Sequence, residues 1–292
     1  MFKYIILLLV CSSFLCGQVS IITSTPNQAF LVKEIGKDKV KVESLLKPRE
    51  DMHFLDVNPV FMNKLYFADI FVETGLGAEP WVLPLLQGAK NRKILRQNIG
   101  NVNAARGIAP LGIPSSISRD LGDVHPQGNP HYLLDPVNSK IVAGNIYKTL
   151  IRIAPQHTNF FKQNLISYNK KLRSSLIKWL KKVKPHKGKI KFVSYHELWP
   201  YFSRRFGLVQ IGTIEPKPGI QPSSRHIQNL IAQMKAQNCR LIIVAKIYPL
   251  NQVRYIAEKT GAKIIHASIE VEKKDGYLAM IDELINGIIP GE

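Results

Sequence analysis

The chain has 292 residues, of which 45% are hydrophobic and 9% aromatic, enough to bury one large core or two modest ones and too apolar for a disordered polymer. Its formal net charge is +19, but Lys and Arg are spread along the chain without a nucleic-acid signature. The charge therefore points to general attraction to anionic lipid or cell-wall polymers, or to nothing specific. Dinucleotide and phosphate-loop fingerprints are absent, GLGAEPW (75 to 81) having the wrong length and residues, and neither a GxSxG elbow nor an HExxH pair occurs.

The first element is a leader. Lys3 gives a short positive start, Ile5 to Leu15 is an almost unbroken apolar run, and Cys16, Gly17 and Gln18 follow. The run is too short to span a bilayer comfortably and has the order of a secretory signal peptide, assigned here to residues 1 to 17. Cleavage near Gly17 competes with lipid attachment at Cys16, for which Ser13, Phe14 and Leu15 make a poor lipobox. The mature chain is expected in the periplasm or at the cell surface. Only Cys239 then remains in the body, which excludes an intramolecular disulfide.

After the leader, VSIITST (19 to 25) reads as a strand ending at Pro26, NQAFLVKEIG (27 to 36) as a helix, and KVKVESLL (39 to 46) as an alternating strand. The loop KPREDMHF leads to a helix over 58 to 66, a buried-type strand in ADIFVETG, and a further strand in KILRQ (93 to 97). Residues 98 to 130, rich in Gly, Pro and Ser, read as one long connecting loop. Asp135 and Pro136 then announce a helix, as N-cap and first helical residue, with an apolar stripe through Ile141, Ile146 and Leu150.

A helical stretch of nearly thirty residues runs from Gln156 to about Lys184. Its basic part, KKLRSSLIKWLKKVKPHKGK (170 to 189), carries Leu172, Leu176, Trp179, Leu180 and Val183 as one buried stripe beneath a solvated face. A second alternation follows: strand KIKFVSY, helix ELWPYFSRRFG interrupted or bent at Pro200, strand LVQIGTI, helix SRHIQNLIAQMKAQN, strand CRLIIVAKI, helix NQVRYIAEKTG, strand AKIIHAS and a C-terminal helix. The pattern is α/β: two parallel-sheet lobes joined by one long helix, with lobes over 18 to 150 and 188 to 292 and a linking helix over 151 to 187.

Three of the eight histidines share a setting. His53 follows the second strand, His131 precedes the helix capped by Asp135, and His196 comes directly after KFVSY. Strand ends in parallel α/β sheets converge on one crevice, where ligands bind. Three neutral imidazoles with a fourth position for a carboxylate or water suit zinc or a neighbouring transition metal. Separations of 78 and 65 residues match no local ligand rule, so three hydrogen-bonded loop histidines would give the same spacing. His157, His186 and His226 read as solvated.

The wording of several stretches adds to this. GKDKVKVESLLKPREDMHF, FADIFVETGLGAEPWV, NPHYLLDPVNSKIVAGNI, FVSYHELWPYFSRRFGL and KKDGYLAMIDELI, in this order over the mature chain, resemble the extracytoplasmic solute-binding proteins of zinc and manganese ABC transporters (cluster A-I), whose two lobes are joined by a rigid backbone helix. The resemblance implies that His53, His131 and His196 are metal ligands, that zinc is the leading cargo with manganese the alternative, and that the partner is a membrane permease driven by a cytoplasmic ATPase. It further implies a monomer, with no nucleic acid and no enzymatic activity.

One departure concerns the fourth ligand. The family often supplies an Asp or Glu from the loop after the last strand, where this chain has Ala267 preceded by His266. Water, His266, His125, or a carboxylate such as Glu50 or Glu215 could fill the place, with water or a loosely held carboxylate favoured. A His-rich collecting loop is missing, since residues 98 to 122 contain no histidine. Two other classes stay open at this stage: a surface adhesion protein that keeps the metal structurally, and a zinc hydrolase with Glu197 or Glu50 as general base.

Overall fold

The computed structural model describes residues 17 to 115 and 125 to 289. The leader and its Cys16 lie outside the described residues apart from Gly17, as do the last three positions. Two four-stranded parallel sheets form the frame. In the first, β1 (Val19–Thr23), β2 (Val40–Ser44), β3 (Ile70–Glu73) and β4 (Asn101–Asn103) stand in the order β2-β1-β3-β4. In the second, β5 (Lys191–Ser194), β6 (Val209–Thr213), β7 (Leu241–Ala245) and β8 (Lys263–Ala267) stand in the order β6-β5-β7-β8. The strand order reverses at β1 and again at β5, so each sheet has a switch point at the carboxyl ends of its central strands.

Single helices make the crossovers: α1 (Pro26–Gly36), α2 (Pro59–Tyr66) and α3 (Val82–Ala89) in the first lobe, α6 (Pro200–Phe206), α7 (Ser224–Ala236) and α8 (Asn251–Thr260) in the second. Between the sheets lie α4 (Pro136–Ile153) and α5 (Thr158–Val183), and α9 (Gly276–Ile288) closes the chain. Their starts follow local chemistry. Asn58 accepts from Phe61 N at 3.1 Å before α2, Asp135 from Val137 N at 3.0 Å before α4, and Ser223 from His226 N at 3.2 Å before α7. Pro136 and Pro200 occupy first helical positions, where a missing N–H costs nothing.

At 26 residues, α5 is about 39 Å long at about 1.5 Å per residue. It buries Phe161, Tyr168, Leu172, Trp179 and Val183, spaced at helical periods, against α1, α4 and α9. Leu180, expected in that stripe, is 40% exposed. One continuous core runs through these helices from Leu31 and Val142 to Phe202 and Ile285, so the inner faces of both sheets share it. The outer face of each sheet has a separate core, around Phe71 and Leu85 in the first lobe and around Val193 and Ile242 in the second.

Polar bonds tie the lobes as well. Asn27, on the first turn of α1, reaches across to the loop after β8: its Nδ2 donates to Ile269 O at 2.8 Å, its Oδ1 accepts from Val271 N at 3.0 Å, and its backbone N donates to Glu270 Oε2 at 2.7 Å. Arg205 on α6 grips Asp135 with two bonds of 2.8 Å, and Trp179 Nε1 on α5 donates to Asp282 Oδ1 on α9 at 2.9 Å.

Several local expectations need correction. KILRQ is not a strand: residues 92 to 94 form a 3-10 turn that buries Ile94, and the fourth strand comes later, at Asn101–Asn103, inside the stretch read as loop. Helix α3 was not foreseen, its apolar run being short and interrupted by Pro84. Pro200 starts α6 instead of bending it.

Candidate metal centre

The loops after β2 and β5 and the segment entering α4 meet at one place between the lobes. They bring His53, His131 and His196 together, one potential ligand atom from each lying within 4.8 Å of the others. Ring centroids are separated by 5.6 Å (His53 to His131), 5.8 Å (His131 to His196) and 6.4 Å (His53 to His196). Imidazoles sharing a tetrahedral ion at Zn–N distances of about 2.0–2.1 Å have centroids about 5 Å apart, so the rings need to draw in by roughly 1 Å.

Each ring is set by what stands behind it. His53 Nδ1 lies 3.0 Å from the carbonyl oxygen of Ala78, which can only accept, so the proton sits on Nδ1 and Nε2 carries the free lone pair. His196 Nδ1 lies 2.8 Å from Glu215 Oε2, both residues being buried, which fixes the same tautomer. The backbone N of His131 donates to Asn129 Oδ1 at 3.0 Å, and the residue is held from the other side by the Asp135 cap of α4. The Nε2 atoms of His53 and His131 are both buried with no hydrogen-bond partner. Buried polar atoms are seldom left so, and two in one cluster are suited to a cation that both would ligate.

Burial pushes His131 well below the usual histidine range, with neighbouring His53, His196 and His125 adding to the effect. Its imidazole is therefore neutral at pH 7 and no proton has to leave before it binds. Tyr248 stacks on His196 with a centroid distance of 5.8 Å and is itself stacked on Tyr195 at 4.7 Å, which closes the side of the site in the second lobe.

The other expected candidates fall in different places. His266 is not part of the cluster: it is exposed on β8, where Lys246, Arg49 and Glu272 are its charged neighbours. Glu215 is near but committed to His196, and Glu50 is exposed, accepting from Lys47 N at 2.9 Å. His125 lies beside the group without joining it, its ring stacked on that of His53 at 4.6 Å and 27°. Asp51 was missed in the sequence, although it stands two residues from His53. Its Oδ1 accepts from His53 N at 3.0 Å and lies 3.9 Å from His53 Nε2. His226, expected in solvent, is partly buried with Nε2 2.9 Å from Thr213 O.

Residues 21 to 290 match the family described as zinc-uptake complex component A, periplasmic. The chain belongs to this family. A putative metal-binding protein of Treponema pallidum (strain Nichols) is 25% identical over 264 residues, covering 88% of this chain and 81% of the relative. The high-affinity zinc uptake system protein ZnuA of Brucella abortus (strain 2308) is 29% identical over 162 residues, 54% of this chain and 48% of that protein, so this match spans about half its length. A crystal structure of ZnuA superposes with a TM-score of 0.78 at 26% identity, covering 93% of this chain and all of the other. Two parallel-sheet lobes are thus the architecture of a zinc-uptake component A, and metal binding for ABC-type uptake is its class of function. Among the described residues no helix is long and apolar enough to cross a membrane.

Proposed function

We propose that the exported protein captures a zinc ion with His53, His131 and His196 and hands it to a membrane permease driven by a cytoplasmic ATPase. The observation that carries this reading is the pair of buried, unpartnered Nε2 atoms on His53 and His131 facing a third imidazole whose other nitrogen is spent on Glu215. Zinc is the cargo. Three neutral nitrogen donors suit it, whereas manganese prefers oxygen-rich sites.

The chain's own residues do the rest. Ala78 O and Glu215 orient two of the rings, and burial keeps His131 unprotonated. His53 and His131 come from the first lobe and His196 from the second, so a bound ion cross-links the lobes. Helix α5 and the Asn27 bonds limit hinge opening, which leaves small loop and lobe shifts to signal loading. A single chain completes the site, so a monomer suffices.

A hydrolase would need a free base beside the ion. Glu197 Oε2 accepts from Gln210 Nε2 at 3.0 Å, Glu215 is held by His196, and Glu50 is exposed at the loop surface, which favours a receptor over an enzyme. The test is zinc binding by metal-stripped protein in competition with a chromophoric chelator. Tight one-to-one binding by the native chain and its loss on changing His53, His131 and His196 to alanine is the expected result; equal binding by both overturns the reading.

A further inference from the structure

The geometry points to a second binding site, for anionic phospholipid at a membrane surface, in a groove between the end of α5 and the end of α6. The groove has a volume of about 420 Å³, inside the range of roughly 300–1,000 Å³ for ligand sites. Lys181, Lys184 and Lys187 line it together with Leu180, Val183 and Phe206, and no acidic residue does. Arg205 stands on its wall with its guanidinium engaged by Asp135 through two bonds of 2.8 Å, which leaves the three lysines to meet a ligand.

The charge around the groove has no counterweight. Helix α5 has no Asp or Glu among its 26 residues. Among the described residues, the side chains of Lys170, Arg173, Lys178, Lys181, Lys184 and Lys187 make neither ion pair nor hydrogen bond, whereas Lys171 on the same helix pairs with Glu34 at 3.3 Å. Cations gathered without partners repel one another and attract an external anion.

Charge alone would suit any polyanion, and the apolar groups decide between them. Leu180, turned out of the buried stripe, is 40% exposed, and Ile166 and Ile177 are 51% and 58% exposed. At helical spacings Ile166, Lys170, Arg173, Ile177, Lys181 and Lys184 follow one face of α5 and the turn after it. Cations interleaved with exposed aliphatic side chains suit a helix lying on a membrane, its apolar groups in the headgroup layer and its cations on the phosphates. A phosphate polymer would engage the lysines and leave the isoleucines and the apolar floor of the groove idle.

The test is co-sedimentation of residues 18 to 292, whose cores all lie beyond the apolar leader, with vesicles of phosphatidylglycerol and phosphatidylcholine. Binding is expected to require phosphatidylglycerol, to fall as salt rises, and to weaken about 100-fold when Lys181, Lys184 and Lys187 are all changed to glutamine, at about fivefold per lysine. Removing the same charge from exposed positions elsewhere, as Lys90→Gln, Lys235→Gln and Lys274→Gln together, should leave binding close to native. Leu180→Gln should weaken vesicle binding at unchanged charge and leave binding of soluble polyphosphate as it was. Circular dichroism checks that each variant folds. If the native chain ignores the anionic vesicles, or both lysine triples weaken binding alike, the groove is not a lipid site; if polyphosphate displaces the vesicles and Leu180→Gln is silent, the ligand is a phosphate polymer and the proposal fails. None of these residues belongs to the histidine cluster, so failure here leaves the zinc reading standing, and the reverse holds.

Discussion

Replacing Glu215 probes how much of the metal affinity comes from behind the first ring of ligands. Its Oε2 lies 2.8 Å from His196 Nδ1, and the carboxyl group is buried, so the imidazole has no water to take its place. Glutamine keeps an acceptor but removes the charge that makes the ring a stronger base; alanine removes both and lets the ring turn. Losing such a partner lowers metal affinity by about 10–100-fold, or about 1.4–2.8 kcal/mol. Glu215→Gln is expected near the lower figure and Glu215→Ala near the upper. Chelator competition at pH 7 reads both, with circular dichroism as a control because the same carboxylate accepts weakly from Gly219 N at 3.4 Å. Zinc binding at native affinity in both folded variants would refute the orienting role of Glu215.

Asn27→Ala removes two bonds between α1 and the loop after β8 and strands Ile269 O and Val271 N, which should lower unfolding stability by about 2–4 kcal/mol in urea titrations; a change under about 1 kcal/mol would show the tie to be idle. Gly276→Ala, at φ +81° and with Phe30 of α1 in the path of the new Cβ, should cost about 2–4 kcal/mol by the same measurement. The pH profile of the metal-free protein has two opposed parts. Burial raises Glu79 to about 7 and Glu270 to about 8, above the usual 4.5, so above about pH 4.5 the folded state holds extra protons and their contribution to stability is lost as pH rises from about 4.5 to 8. His125 and His131 are lowered from 6.5, so the unfolded state holds extra protons and their contribution is lost as pH falls from about 6.5 toward 4. Between about pH 4.5 and 6.5 the two slopes oppose each other, so thermal melts should show a near-plateau there and a fall above it, and the double change Glu79→Gln with Glu270→Gln should flatten the alkaline side; an unaltered alkaline slope would contradict the assignment.

Much of the frame was legible because its elements carry local signals. The Asp135-Pro136 start of α4, the apolar runs of β1 and β7 and the alternating β2 can each be read without neighbours. The misreadings lie where tertiary contacts decide. KILRQ has strand-like residues, but Ile94 is drawn into the outer core of the first lobe as a 3-10 turn, and the true edge strand is only three residues of Asn-Val-Asn. Strand ends pointed to His53, His131 and His196, which the structure brings together. Position gave no such signal for His125, which sits in a turn of Pro, Gly and Asn far from any strand, and its approach to His53 comes from the Gly128 turn and the Leu111 to Asn129 bond. His266 looked eligible by proximity to Ala267, but on β8 it lies on the exposed side, beside lysine and arginine. Ala78 O and Asp51 could not be ranked from sequence, since any loop offers carbonyls and carboxylates.

The most direct test of the account is elemental analysis of the protein isolated from its native compartment without added metal. One zinc per chain, absent from the variant with His53, His131 and His196 changed to alanine, is the expected result. Manganese at that stoichiometry, or zinc retained by the triple variant, would contradict it.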